Sequence, residues 1–126
     1  MWNEQARSIF ADRAIAHLAV CADGRPHNSA VWVDVDEQGR IVCNTALGRV
    51  KDRLLQVGVP VAFSATRPGN DYEQVTVTGV VVERTTRDAD AVIDALARKY
   101  LGAETYPFRR PGEQRLTIRV QPDPQP

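Results

Sequence analysis

The apolar positions of this chain change rhythm several times, and each change marks an element. Ala6, Ile9 and Phe10 fall at helical spacing within residues 4–13, which predicts a short first helix. Residues 14–22, AIAHLAVCA, predict a buried strand. Asp23-Gly24-Arg25-Pro26 predicts a turn, with Gly24 supplying a positive φ. Residues 27–36 alternate: Ser29, Val31, Val33 and Val35 share one face, and Asn28, Ala30, Trp32 and Asp34 share the other. Glu37-Gln38-Gly39 turns the chain into a third strand over 40–45. These three strands are expected to form two consecutive hairpins, an antiparallel meander.

The period then lengthens. Leu47, Val50, Leu54 and Val57 trace one stripe of a predicted amphipathic helix that Gly58 ends. Residues 59–66 predict a strand and 67–71 a turn. The Val- and Thr-rich stretch 72–83 exceeds the common strand length, so a bulge or bend is expected near Gly79. A second amphipathic helix is predicted over 87–101, with Val92, Leu96 and Tyr100 in one row and Ile93, Ala97 and Leu101 beside it. Residues 102–113 predict a loop and 115–121 a last strand, ended by prolines that cannot donate to a ladder. The expectation is one mainly β domain spanning 1–126, a six-stranded antiparallel barrel with flanking helices, and a flexible tail over 121–126.

Composition narrows the class. Sixteen Lys and Arg balance sixteen Asp and Glu across 126 residues. That balance argues against nucleic acid as the main partner, which would need a net basic face. No apolar run approaches the ~20 residues that span a bilayer, and the N-terminus lacks a basic start and apolar stretch, so no membrane partner and a cytoplasmic location are expected. Cys21 and Cys43 both lie in apolar runs and are expected to be buried free thiols. His17, inside an apolar strand, is expected in the core or at an interface, and His27 at a pocket rim. Two histidines ten residues apart without matching carboxylates make no metal site, and neither Ser29 nor Ser64 lies in a nucleophile elbow.

The segment Asn44-Thr45-Ala46-Leu47-Gly48-Arg49-Val50-Lys51-Asp52-Arg53 carries the candidate chemistry. Asn44 or Thr45 is expected to cap the following helix, whose first turn would hold Gly48 and Arg49 in place of the usual carboxylate, with Lys51 just behind. Backbone N–H groups, a hydroxyl and two cations converging on a helix start suit a phosphate. A solvated basic helix face would show the same residues, and the physical argument alone leaves both readings open.

Residues 14–83 resemble the pyridoxamine-phosphate-oxidase-like split-barrel family, and in particular its flavin/deazaflavin oxidoreductase branch that uses coenzyme F420. The resemblance rests on Asp23-Gly24-Arg25-Pro26, on Ala30-Val31-Trp32-Val33-Asp34, on Asn44-Thr45-Ala46-Leu47-Gly48-Arg49-Val50-Lys51 and on residues 72–79. It implies an FMN-binding-protein-like split barrel in which Lys51 contacts a cofactor phosphate, with Thr45 and Arg49 nearby; Gly48, which lets a ligand approach the backbone closely, and Arg53 complete the cofactor-binding residues expected of the segment. The cofactor ring would lie against the backbone near Asn28, Ser29, Ala30 and Val31 and near Cys43, Asn44, Thr45 and Ala46. The family pattern often has asparagine three residues after the lysine, where this chain has Leu54.

The resemblance further implies an oxidoreductase that takes hydride from reduced F420 to a small conjugated or aromatic acceptor. It also implies a homodimer with sites at the interface, which Trp32 or the loop 67–73 of the partner could complete. The alternatives are an FMN-dependent oxidase or reductase of the same fold, or a non-catalytic flavin-, haem- or tetrapyrrole-binding protein. No catalytic acid is nominated, because hydride transfer is the cofactor's own chemistry.

Overall fold

A computed structural model describes residues 2–124. Its elements in chain order are α1 (Glu4–Ala11), β1 (Ala16–Ala22), β2 (Arg25–Val31), β3 (Asp34–Val35), β4 (Ile41–Ala46), α2 (Val50–Leu54), β5 (Pro60–Thr66), β6 (Gln74–Thr85), α3 (Ala89–Leu101) and β7 (Arg115–Pro122). All the strand pairs are antiparallel, in the order β2-β1-β5-β6-β7-β4-β3.

The two ends of that order are consecutive in the chain. Only Trp32 and Val33 separate β2 from β3, and three steps of extended chain reach at most ~11 Å. The sheet must therefore curl until its edges nearly meet, which makes a split half-barrel. The inward row Ala16, Leu18, Phe63, Val77, Val81, Leu116, Ile118 and Val120 fills it, and Ile9 and Phe10 of α1 join the same core. Each Val, Leu, Ile or Phe side chain among them, fully buried, contributes roughly 1.5–3 kcal/mol.

The predicted strand 27–36 is broken in two, so the sheet has seven strands where six were expected. The break has a local cause. Val33 donates its N–H to the Tyr100 hydroxyl (3.1 Å), and its carbonyl accepts from Lys99 Nζ (2.6 Å). Tyr100 also donates to Ala14 O (2.6 Å), and its ring stacks on Trp32 at 5.3 Å. Side chains of α3 thus take the backbone groups that a ladder would need. β1 and β2 form the expected first hairpin, and β3 pairs with β4, but the two pairs lie at opposite ends of the sheet rather than in a meander.

The other departures are also local. The bulge in β6 falls between Val81 and Glu83 rather than near Gly79. Gly79 instead permits a close approach, since a Cβ there would lie 2.6 Å from the carbonyl oxygen of Gln121. Cys21 is exposed and Cys43 is buried, so only one thiol matches expectation. His17 is exposed on the outer face of β1, not in the core. The second row of α3 ends at Ala97, because Leu101 is exposed. Gln121 and Pro122 belong to β7, and Asp123 is tied to Thr78 by two hydrogen bonds (2.9 and 2.8 Å), so the chain is anchored through 123. Residues 125 and 126 of the expected tail lie outside the described residues. No helix among the described residues is long and apolar enough to cross a membrane.

Candidate functional site

The segment 44–53 folds differently from its sequence rhythm. β4 continues through Ala46, which pairs with Arg115, and Leu47 still donates its N–H to Gln114 O (2.9 Å). Gly48 then turns the chain at φ 88°. The helix that follows is five residues long, has Arg49 rather than Asn44 or Thr45 at its N-cap, and has no side-chain cap. Asn44 and Thr45 are strand residues. Arg84 ends the helix by donating to the carbonyls of Asp52 (2.9 Å) and Leu55 (2.8 Å). The predicted stripe is therefore not a buried face: Leu47, Val50 and Val57 are exposed, while Leu55 takes the core position.

The first turn does hold a carboxylate. Asp52 accepts the Gly48 N–H (2.7 Å) and pairs with Arg84 (2.6 Å). The Gly48 N–H above all, and then Arg84, hold its carboxyl below the usual range. The N–H groups of Leu47, Gly48 and Arg49 go to Gln114 O, Asp52 and Ala46 O. The expected backbone phosphate cradle is absent at these three residues, and the cationic side chains remain.

Those side chains border a cleft with two lobes. The larger, about 550 Å³, runs between β1, β2 and α2 and is lined by Asn28, Ser29, Gly48, Arg49, Lys51 and Arg53, with Leu18, Val20, His27, Leu54 and Leu55. That volume lies in the ~300–1,000 Å³ range of small-molecule sites. The smaller, about 210 Å³, is lined by Ala30, Val31, Asn44 and Thr45 together with Trp32, Tyr106, Phe108 and Arg115. Arg49 and Lys51 line both lobes and stand at their junction. Ten of the eleven predicted site residues thus meet in one cleft. Ala46 is buried and lines neither lobe. Leu54 stands among Leu18, Val20 and Leu55, which explains an apolar residue where the family pattern often has asparagine.

The charges in the cleft are unequally committed. Arg49 pairs with Glu113 at 3.3 Å. Glu113 also pairs closely with Arg115, which is 4% exposed and donates from Nε to Asn44 Oδ1 (2.9 Å). The Lys51 ammonium has no ion pair or hydrogen bond among the described residues. The Thr45 hydroxyl is buried without a partner. Nearby Cys43 is no nucleophile, because burial pushes its thiol up to about 12 despite Lys51. Glu113 and Arg115 escaped sequence reasoning. Nothing local marks them; the β4–β7 register brings Arg115 to Ala46 across 69 positions (115 − 46).

No family model matches the chain, and no curated protein matches it by sequence. Solved structures match along nearly its whole length. An F420 reductase is 27% identical, with a TM-score of 0.78 over 93% of this chain and 92% of its own. The chain thus has the split-barrel fold of flavin-binding and pyridoxamine-phosphate-oxidase-like proteins. A FAD-binding protein from Mycobacterium smegmatis is 21% identical, with a TM-score of 0.62 over 97% of this chain and 91% of its own. A pyridoxamine 5'-phosphate oxidase-like protein from Corynebacterium glutamicum is 20% identical, with a TM-score of 0.52 over 96% and 84%. These two speak to the split-barrel fold alone. The fold is of the flavin/deazaflavin oxidoreductase type.

Proposed function

We propose that this split-barrel protein is an F420-dependent oxidoreductase that passes hydride to a small conjugated or aromatic acceptor. The observation that carries the reading is Lys51, a half-buried cation without a partner, placed with Arg49 where the two lobes join. A half-buried cation with no internal counter-ion favours an anionic ligand. The F420 reductase that resembles this chain over nine-tenths of both supports the choice of anion. The bound deazaflavin supplies the hydride. Lys51 and Arg49 hold its phosphate, and Arg53 adds positive potential at the rim. The strand segments Asn28 to Val31 and Asn44 to Thr45 flank the ring. The apolar wall of Leu18, Val20, Leu54 and Leu55 keeps water from it.

A second copy of the chain completes the assembly in this proposal. The cross-strand rows Ala30–His17–Ser64–Thr76 and Asn28–Ala19–Ala62–Thr78 contain no charged side chain, so the face can meet its own copy across a twofold axis without repulsion. His17→Glu would set like charges on that face and is expected to convert a dimer to monomer in light scattering. A monomeric wild-type chain would remove the dimer. The activity is tested by mixing protein with chemically reduced F420 and a panel of enones and nitroarenes. Acceptor-dependent recovery of the oxidised deazaflavin absorbance is expected. Recovery no faster than without protein, across the panel, would refute the proposal.

A further inference from the structure

The smaller lobe has its own chemistry. Trp32, Tyr106 and Phe108 form a chain of edge-on rings, at 6.1 Å and 89° for the first pair and 5.7 Å and 79° for the second. Phe108 is 60% exposed at the mouth. The loop that carries Tyr106 and Phe108 is not loose. Asp94 of α3 accepts the Tyr106 N–H (2.8 Å) and an Arg109 N–H (2.6 Å), and Asp90 holds Arg109 from the other side (2.8 Å). An aromatic wall held in place before binding costs little ordering entropy when a flat ligand arrives.

Arg115 supplies the polar end. Its Nε is taken by Asn44, its Nη1 by Glu113, and its Cζ lies over the Tyr106 ring, 5.0 Å from the ring centroid. Nη2 has no hydrogen-bond partner among the described residues. Glu113 offsets the charge of Arg115, so once a phosphate engages Lys51 and Arg49 this lobe presents a donor with almost no net charge. Its volume, about 210 Å³, is below the ~300 Å³ of the smallest drug-sized pockets and suits a ring system rather than a whole cofactor.

We infer that the smaller lobe binds a planar conjugated ring through an edge carbonyl oxygen, with Arg115 Nη2 as donor and Tyr106 and Phe108 as stacking surface. Who supplies the ring, the acceptor or the deazaflavin itself, rests on the function proposed above; the binding does not.

The full chain is titrated without cofactor against coumarin, a flat lactone, and against naphthalene, of similar size without a carbonyl. A hydrogen bond to a charged donor is worth ~1.5–3 kcal/mol, so coumarin is expected to bind about tenfold tighter or better. Phe108→Ala, at an exposed position, is expected to weaken coumarin severalfold with an unchanged melting temperature. Arg115→Lys, which keeps the charge opposite Glu113, is expected to erase the preference for coumarin over naphthalene. Equal affinity for the two probes, or an unaffected Phe108→Ala, overturns the inference. So does tighter binding of 2-naphthoate than of coumarin when both are titrated with F420 or, if F420 excludes them, inorganic phosphate saturating Lys51 and Arg49, because the lobe would then recognise an anion. Repeating the coumarin titration with saturating F420 separates the sources: retained binding assigns the lobe to the acceptor, and competition assigns it to the cofactor ring. Failure to bind F420 would sink the proposed function and leave the coumarin result standing.

Discussion

Removing Lys51 should separate binding from folding. Lys51→Ala deletes a cation with no ion pair or hydrogen bond among the described residues, so the apo-protein loses only the packing of an aliphatic stem. Such changes stay within ~0.5 kcal/mol, which for a domain of this size shifts the melting temperature by about 2 °C. A charge-assisted hydrogen bond to phosphate is worth ~1.5–3 kcal/mol, so cofactor affinity should fall about 10- to 150-fold. The difference between wild type and variant should shrink as salt rises, because this partly exposed pair is screened. Calorimetric titration with F420 and a thermal melt of the apo-protein measure the two quantities on the same samples. Unchanged affinity would remove Lys51 from the site. A melting temperature many degrees lower would show that the side chain has a structural partner and that the reasoning from its isolation is wrong.

Three further outcomes follow from packing and charge. Gly79→Ala places a Cβ 2.6 Å from a backbone oxygen and 2.8 Å from Val120, and is expected to destabilise the fold by about 1–3 kcal/mol in urea unfolding; a neutral result would show that β6 and β7 separate easily. At pH 8 a thiol reagent should modify exposed Cys21 and spare Cys43, whose thiol burial has pushed up to about 12; two equivalents reacting in the native state would contradict the buried position. The carboxyls of Asp52, Asp94 and Glu113 lie below their ordinary range, held there first by the N–H groups of Gly48, Tyr106 and Arg110 respectively. A depressed folded value means that their stabilisation is fully present above the unfolded value near ~4 and is lost as pH falls through the folded one. The melting temperature should therefore drop in acid below about pH 4, and Asp52→Asn should blunt that drop; an identical acid limb in the variant would refute the assignment.

The fold was legible wherever the period was unambiguous. The hairpin at Asp23-Gly24, the helix over Ala89–Leu101 and the long strand Gln74–Thr85 all follow from local patterning. The break at Trp32-Val33 was not legible, because its cause is Lys99 and Tyr100, more than 60 positions away. The stripe Leu47, Val50, Leu54 and Val57 misled for the opposite reason. Its spacing is helical, but cross-strand pairing with β7 holds the chain extended through Ala46, so Val50 lines the cleft and only Leu54 of the stripe also packs against the core. Within the site, the cations at 49, 51 and 53 were visible as a cluster. The carboxylates that engage their surroundings were partly hidden, since Asp52 lay in plain sight while Glu113 arrives only with β7.

The Lys51–Arg49 junction is proposed to hold F420 in preference to FMN. Side-by-side equilibrium titrations of the wild-type chain with F420 and with FMN, in one buffer at one ionic strength, test it most directly. Saturable, one-per-chain binding of F420, at least tenfold tighter than FMN, is the predicted result. Tighter FMN binding, with protein that purifies yellow and fluoresces as a flavin, would contradict the deazaflavin assignment; binding of neither would contradict the site itself.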